Sequence, residues 1–346
     1  MAIPHSSGSR IAEETSLMLP DVFLVGAPKS GTTAMAEYLA AHPDIFMAKK
    51  EMNVFGGDLQ FGAQFYRRDI HAYLEEFGGR TTQRRAGEAS VWYLLSKQAA
   101  EEIKAFNPEA RIIIMLREPA EMVHSLYDQF RFDGNEQLPT LEDALAAEPM
   151  RKAGRGLSRQ TYFAQGLQYR EAARYTDQVR RYFDVFGRDR VHVILYEDFA
   201  ADVQGTYRAT LDFLGVDRAK GETDFKVING NKTVKNPAVR ALLGDPLIRA
   251  TAVAVARKLP KSVFNLLHNL ERSVWKLNAR PVRRLPLSPV TQGLLRREFE
   301  SDVRELGELL GRDLSNWGTL STFRAAQSRL TAPAKTSATA EFAAAK

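Results

Sequence analysis

The chain has 346 residues, a formal net charge of +6 and 44% hydrophobic residues, an ordinary share for a globular core. It has no cysteine, which excludes disulfides and thiolate metal sites, and no stretch of about 18 uninterrupted apolar residues that could span a membrane. The six histidines are scattered with no pair at metal-ligand spacing, so no metal is expected, and the positive balance suits an anionic partner, although most such charge on any protein is a solvated face.

Residues 1–19 are polar and lack the apolar segment of a secretory leader. They read as a flexible tail of a cytoplasmic protein. Val22 to Gly26 is predicted as a strand, Thr32 to Ala41 as a helix and Ile45 to Ala48 as a short strand. Tyr66 to Phe77 and Lys97 to Phe106 read as helices. The β-branched run Arg111 to Leu116 reads as a buried parallel strand. Glu118-Pro119 then opens a helix to about Phe132, with proline at an early position. Gly134 to Leu157 is polar and irregular around a helical patch, Leu141 to Ala147. Tyr162 to Phe186 is predicted as one long amphipathic helix, Arg190 to Tyr196 as a strand and Val203 to Leu214 as a helix.

After Asp217 the pattern turns helical and more cationic. Asp245 to Asn278 and Thr291 to Gly311 read as helices, the second ended by its glycine. Residues 326–346, rich in Ala, Thr and Lys, have little to bury and read as a disordered tail. The expected fold is therefore α/β: a central parallel sheet flanked by helices, with a helical C-terminal portion, in one domain spanning about 20–325. Ligands of such sheets sit at the carboxyl ends of the strands. Lys29, Arg117 and Glu197 all follow strand ends and are expected to gather along one edge.

The stretch from Phe23 to Thr33, FLVGAPKSGTT, carries the chemistry. It reads as a buried strand, a tight loop and the first turn of a helix. Gly26, Gly31 and Thr33 fit the Walker A spacing, G-x-x-x-x-G-K-[ST], but Thr32 stands where the lysine belongs, and the nearby cation is Lys29, before the second glycine. The frame for cradling a phosphate is intact, because free N–H groups at a helix start face an anion. A lysine after the second glycine reaches the far phosphates of a triphosphate, whereas Lys29 would sit over a nearer oxygen. Arg117, at the exit of a buried strand, suits a bidentate grip on a phosphate, and Ser125 lies two helical turns further on.

Pro28-Lys29-Ser30-Gly31-Thr32-Thr33 resembles the 5'-phosphosulfate-binding loop of sulfotransferases that use 3'-phosphoadenosine 5'-phosphosulfate (PAPS), and Arg117 with Ser125 resembles that family's 3'-phosphate pair. Tyr196-Glu197-Asp198-Phe199, Phe213 to Val216 and Arg312 to Trp317 follow in the family's order. The likeness covers about 20–320 and is strongest to bacterial members and the heparan-type carbohydrate branch. It implies a P-loop-type fold, PAPS as co-substrate with 3',5'-ADP as product, and no metal. Lys29, Ser30, Gly31, Thr32 and Thr33 would hold the phosphosulfate, with Lys29 stabilising the bridging oxygen as it leaves. Asn231, Lys232 and Lys235, joined by Arg240, resemble a loop that closes over the 3'-phosphate. The helical portion at about 217–320 would face the acceptor.

Glu51 stands where heparan-type enzymes place the glutamate that deprotonates the acceptor, but Asn53 and Gly56 replace the usual His and Asp. Glu88 is a second candidate, and Ala89 stands where related enzymes often carry a lysine. Either carboxylate needs a raised pKa to serve as a base near neutrality, and Lys49 and Lys50 would lower that of Glu51. Trp92 and Tyr93 could stack on adenine, line the acceptor cleft or sit in the core. The acceptor implied is a hydroxyl of a carbohydrate, glycolipid or small metabolite, with no nucleic acid. The cationic stretch 245–280 suits an anionic membrane surface, an anionic acceptor or plain solvent. The competing readings are a P-loop nucleotide kinase or NTPase, and a basic anion-binding protein without catalysis.

Overall fold

Val22 to Val25 are fully buried and form β1 (Val22–Gly26) at the centre of the molecule. The computed structural model describes residues 19–62, 68–221, 225, 232–236, 274, 277–281 and 285–318. In chain order, β1 is followed by α1 (Thr32–Ala40), β2 (Ile45–Met47), α2 (Ile70–Glu75), β3 (Arg85–Ala89), α3 (Ala99–Phe106) and β4 (Arg111–Leu116). Next come α4 (Pro119–Asp133), α5 (Leu141–Ala146), α6 (Glu148–Lys152), α7 (Tyr169–Ala173), α8 (Thr176–Phe186) and β5 (Val191–Leu195). The remainder comprises α9 (Tyr196–Ala201), α10 (Val203–Leu214), β6 (Lys232–Val234), β7 (Ala279–Pro281) and α11 (Pro289–Leu310).

The five-stranded sheet runs β2-β3-β1-β4-β5 with every pair parallel, while β6 and β7 form a separate antiparallel pair. Side chains of a strand alternate between faces, and here both faces are covered. Phe23, Val25, Ile112, Ile114 and Leu116 pack with Ile103, Val123, Tyr182 and Phe299 on one side. Val22, Leu24, Ile113 and Met115 pack with Met35, Leu39, Tyr207 and Leu211 on the other. Burial on two faces explains the unbroken apolar runs of β1 and β4.

The expected α/β architecture is present, as is a helical C-terminal portion. The α4 helix starts where proline was expected; the Glu118 carboxylate accepts the Glu121 N–H at 2.7 Å, and Gly134 at φ 89° ends the helix. α11 begins at Pro289 rather than Thr291, because the Ser288 hydroxyl caps the Thr291 N–H at 3.1 Å. α2 begins only at Ile70, where the Asp69 carboxylate accepts N–H bonds from His71 and Ala72. The tails, most of Asp245 to Asn278, Asn231 and Arg240 lie outside the described residues.

Two elements differ from expectation. The helix predicted over Tyr162 to Phe186 is broken into a 3-10 turn (Gln165–Leu167), α7 and α8. At the second break the Tyr175 N–H donates to Asp302 of α11 at 2.8 Å, and the Thr176 hydroxyl donates to the Asp302 carbonyl at 2.8 Å. This tertiary partner satisfies donors that a continuous helix would have used itself. The other difference is β3, Arg-Ala-Gly-Glu-Ala, which carries little strand propensity. Its small residues fit a tight gap: a Cβ on Gly87 would stand 2.7 Å from the Val22 carbonyl oxygen.

The stretch between α4 and α7 is organised by polar groups. Glu136 is fully buried, accepts bonds from both Arg151 Nη atoms at 2.7 Å and a third from the Tyr169 hydroxyl at 3.0 Å. Among the described residues no helix is long and apolar enough to cross a membrane.

Candidate functional site

The loop after β1 lies at the point where the chain's path across the sheet divides. β3 flanks β1 on one side and β4 on the other, so the crevice beyond their carboxyl ends is the natural ligand position of an open parallel sheet. Gly31, at φ 87°, turns the chain into α1 and leaves its first N–H groups facing that crevice. A Cβ at Gly31 would meet the rings of Tyr196 and Phe199 at 3.2–3.3 Å, so glycine also serves close packing there. Ser30 and Thr32 are buried in the loop.

Among the described residues, the non-glycine residues with positive φ are Lys29 (61°), Glu51 (60°) and Asn53 (50°). Left-handed backbone costs an L-residue about 1–2 kcal/mol, and such strain clusters at functional sites. Two of these three residues are the lysine and the glutamate that the sequence singled out.

Arg117 is almost fully buried at the end of β4. Its Nη1 donates to the Lys29 carbonyl at 3.3 Å, its Nη2 lies 3.4 Å from Glu121, and its guanidinium stands 4.8 Å from the centre of the Tyr196 ring. Lys29 Nζ donates to Gln129 Oε1 at 3.0 Å. Glu121, Ser125 and Gln129 follow one another at i+4 spacing along α4 and therefore share a face. Glu121 meets Arg117 and Gln129 meets Lys29, so Ser125 lies between two residues directed at the loop. Gln129 in turn donates to Asp133 at 3.5 Å, and the Tyr162 hydroxyl donates to the same oxygen at 3.0 Å. Burial pushes the Asp133 carboxyl up to about 6, with Asn135, Tyr162, Gln129 and Lys29 pulling the other way.

Lys50 and Glu51 approach from the opposite flank, just past β2. Glu51 N–H donates to the Ala89 carbonyl at 2.8 Å, and Glu51 Oε2 accepts the Val91 N–H at 3.4 Å. The residue is solvent-exposed, and desolvation by the neighbouring protein raises its carboxyl pKa, while Lys50 and the Val91 N–H oppose the rise. Lys50 Nζ donates to Thr33 Oγ1, in the first turn of α1, at 2.8 Å.

Glu88 has no exposed surface. Its carboxylate accepts the hydroxyls of Ser90 (2.6 Å), Tyr93 (2.9 Å) and Tyr73 (3.2 Å). Desolvation pushes its pKa to about 7 against these hydroxyls, with Glu51 adding a smaller push upward. Ser90 Oγ accepts the Asn53 N–H and the Tyr93 hydroxyl accepts the Val54 N–H. Glu88 thus anchors the loop that carries Glu51. Trp92 and Tyr93 are core residues; Trp92 stacks on Phe130 at 6.0 Å.

Glu197 does lie at the β4 and β5 ends, but its carboxylate accepts bonds from the Glu118 N–H (3.2 Å) and from the Trp317 indole N–H (3.1 Å), fastening the C-terminal segment there. β6, which begins at Lys232, runs beside α4. Lys235 is exposed, with its N–H on the Asn278 carbonyl at 2.7 Å. Sequence reasoning missed Gln129 and gave Lys50 only an electrostatic part. Four-residue spacing from Ser125 was the one available signal for Gln129, and nothing local distinguished Lys50 from Lys49.

A glycine-framed anion loop at the switch point of a 2-3-1-4-5 parallel sheet defines a P-loop-type nucleotide-binding architecture. The family profile described as the sulfotransferase family matches residues 20–220, and the chain belongs to that family. It is similar to a crystal structure of a sulfotransferase from Alicyclobacillus acidocaldarius, with 28% identity and a TM-score of 0.62 over 87% of this chain and 99% of that one. It also resembles heparan sulfate glucosamine 3-O-sulfotransferase 3A1 of Mus musculus, 26% identical over 208 residues, 60% of this chain and 49% of that protein. A shorter match, 30% over 109 residues, links 32% of the chain to 12% of the bifunctional heparan sulfate N-deacetylase/N-sulfotransferase 1 of Caenorhabditis briggsae. The chain thus spans half or less of the length of these two curated relatives.

Proposed function

We propose that the protein transfers the sulfuryl group of PAPS to a hydroxyl of a carbohydrate, glycolipid or small metabolite. The observation that carries this reading is the loop cation: Lys29, held in a left-handed conformation inside the glycine frame, with Arg117 bound to its carbonyl from β4. That pairing suits a nucleotide with phosphate at two separate places better than a linear triphosphate. Such a ligand would be held at one end by the α1 N–H groups with Ser30, Thr32 and Thr33, and at the other by Arg117 with Ser125; the Ser30 hydroxyl itself donates to the Pro28 carbonyl at 3.3 Å.

PAPS, when bound, supplies a sulfuryl group joined through oxygen to the 5'-phosphate. The acceptor oxygen bonds to sulfur, its proton passes to a base, and the electron pair of the broken S–O bond remains on the phosphate oxygen. Lys29 is the cation placed to meet that growing charge. Glu51 is the base this reading prefers, since it is exposed and its pKa is raised, whereas Glu88 is enclosed by hydroxyl donors. Glu88 then serves as the positioning residue of the Glu51 loop. The polysaccharide named for the curated relatives favours a carbohydrate acceptor.

Calorimetry tests the reading directly. Tight binding of 3',5'-ADP without magnesium is expected, together with acceptor-dependent turnover of labelled PAPS. A preference for ADP plus magnesium would overturn it. Arg117→Lys is expected to weaken 3',5'-ADP by about tenfold, because an ammonium cannot reproduce the planar fork and its stacking on Tyr196. Unchanged affinity would remove Arg117 from the phosphate site.

A further inference from the structure

We infer that Lys50 is a second cation of the transfer site, facing the non-bridging oxygens of the sulfuryl group from the flank opposite Lys29. The inference rests on the sulfuryl-transfer reading above. Lys50 Nζ reaches Thr33 Oγ1, a hydroxyl of the anion loop, at 2.8 Å across 17 residues of sequence. Lys29 instead leans toward α4, on the β4 side of the loop, through Gln129. Lys50 arrives from beyond β2, with β3 lying between β2 and β1. The mouth of the loop is therefore bracketed by one ammonium on each side.

The energetics of Lys50 favour an anion there over a purely structural tie. A lysine near the surface can keep its ammonium in water while its stem lies along the protein. This one is half-buried, and desolvation lowers its pKa against the opposing fields of Glu51 and Glu37. Among the described residues no carboxylate comes within ion-pair distance of it, and its hydrogen-bond partner is a neutral hydroxyl. A desolvated cation on a neutral acceptor gives up hydration for little return, unless an anion completes the site. The groups facing Lys50 are Thr33 and Glu37 from α1 and Glu51 from its own loop. On the adjoining strand end Ala89 is fully buried and brings no charge. One backbone step then places cation and base together: Lys50 on the sulfuryl oxygens, Glu51 on the acceptor hydroxyl. The sulfuryl oxygens keep their bonds throughout, so Lys50 neither gains nor loses a proton.

Lys50→Met and Lys50→Arg test this through binding as well as rate. Calorimetry with 3',5'-ADP, which lacks the sulfuryl group, is expected to give affinities for Lys50→Met within about threefold of the parent. Calorimetry with PAPS and no acceptor is expected to show roughly tenfold weaker binding, with kcat falling by about ten- to a hundredfold. Lys50→Arg, which keeps the charge, is expected to recover most of both losses. Equal weakening of the two nucleotides, with a lower thermal midpoint, would show a structural tie and overturn the inference. Unchanged PAPS affinity and rate would overturn it as well. If Lys50→Met folds poorly, Lys50→Gln, which also removes the charge, is read by the same comparison of the two nucleotides. Failure of the parent protein itself to bind 3',5'-ADP would instead sink the sulfuryl-transfer reading, and this inference with it.

Discussion

Lys29→Ala is expected to lower kcat by about 10² to 10³, the range seen when one preorganised donor to a developing charge is removed. Binding of 3',5'-ADP should change much less, because the loop N–H groups, Arg117 and the Lys29 carbonyl that Arg117 holds all remain. The alanine keeps a Cβ, so the backbone cost of φ 61° is the same in both proteins and the comparison isolates the ammonium. Lys29→Gly separates activity from stability. It should lose the same activity while gaining up to about 1 kcal/mol of stability by relieving the left-handed conformation. Single-turnover kinetics and thermal unfolding on the two variants read both quantities. Retained transfer in Lys29→Ala would mean that another group meets the leaving oxygen.

Glu51→Gln is expected to cost about 10²-fold or more in kcat/KM, the usual contribution of a positioned general base. The direction of the pH effect follows from the raised pKa. The carboxylate must be ionised to accept a proton, and desolvation by its surroundings holds its pKa above the ordinary 4.5. Activity should therefore rise as pH climbs through that elevated value and level off above it, and Glu51→Gln should abolish this limb. Glu88→Gln supplies the contrast. Its carboxyl titrates near 7 in the folded protein against 4.5 as its reference, so the fold favours its proton. The associated stability is fully present below about 4.5 and is lost as pH rises through about 7. Glu88→Gln should remove that pH dependence of stability and lower activity through the 53–55 loop, while the acid limb assigned to Glu51 survives. Loss of the limb in Glu88→Gln alone would exchange the roles of the two carboxylates.

Most of the sheet was legible because burial on both faces writes itself as apolar runs, as in Val22 to Val25 and Ile112 to Leu116. β3 was not legible, because its residues are selected by closeness to Val22 rather than by strand propensity. Nor was the break before α8, whose cause, Asp302, lies 127 residues away in sequence. The anion loop could be read since its glycine spacing is local, and Arg117 because it ends a strand. Lys50 could not be separated from Lys49: which one turns inward depends on the path of the chain around Glu51 at φ 60°. Glu88 was visible as a carboxylate, but its enclosure by Tyr73, Ser90 and Tyr93 depends on how three segments meet.

The all-parallel arrangement around β1 has a consequence for biosynthesis. β1 leaves the ribosome before any of its neighbours, yet its partners are β3 and β4, and Val22 pairs with Arg111 roughly ninety residues later, a costly loop to close. Until then a greasy segment next to the future anion cradle stays unpaired in the nascent chain. β1 thus waits for β4 before both of its edges are paired, and chaperone capture during translation should concentrate there, at Val22 to Val25.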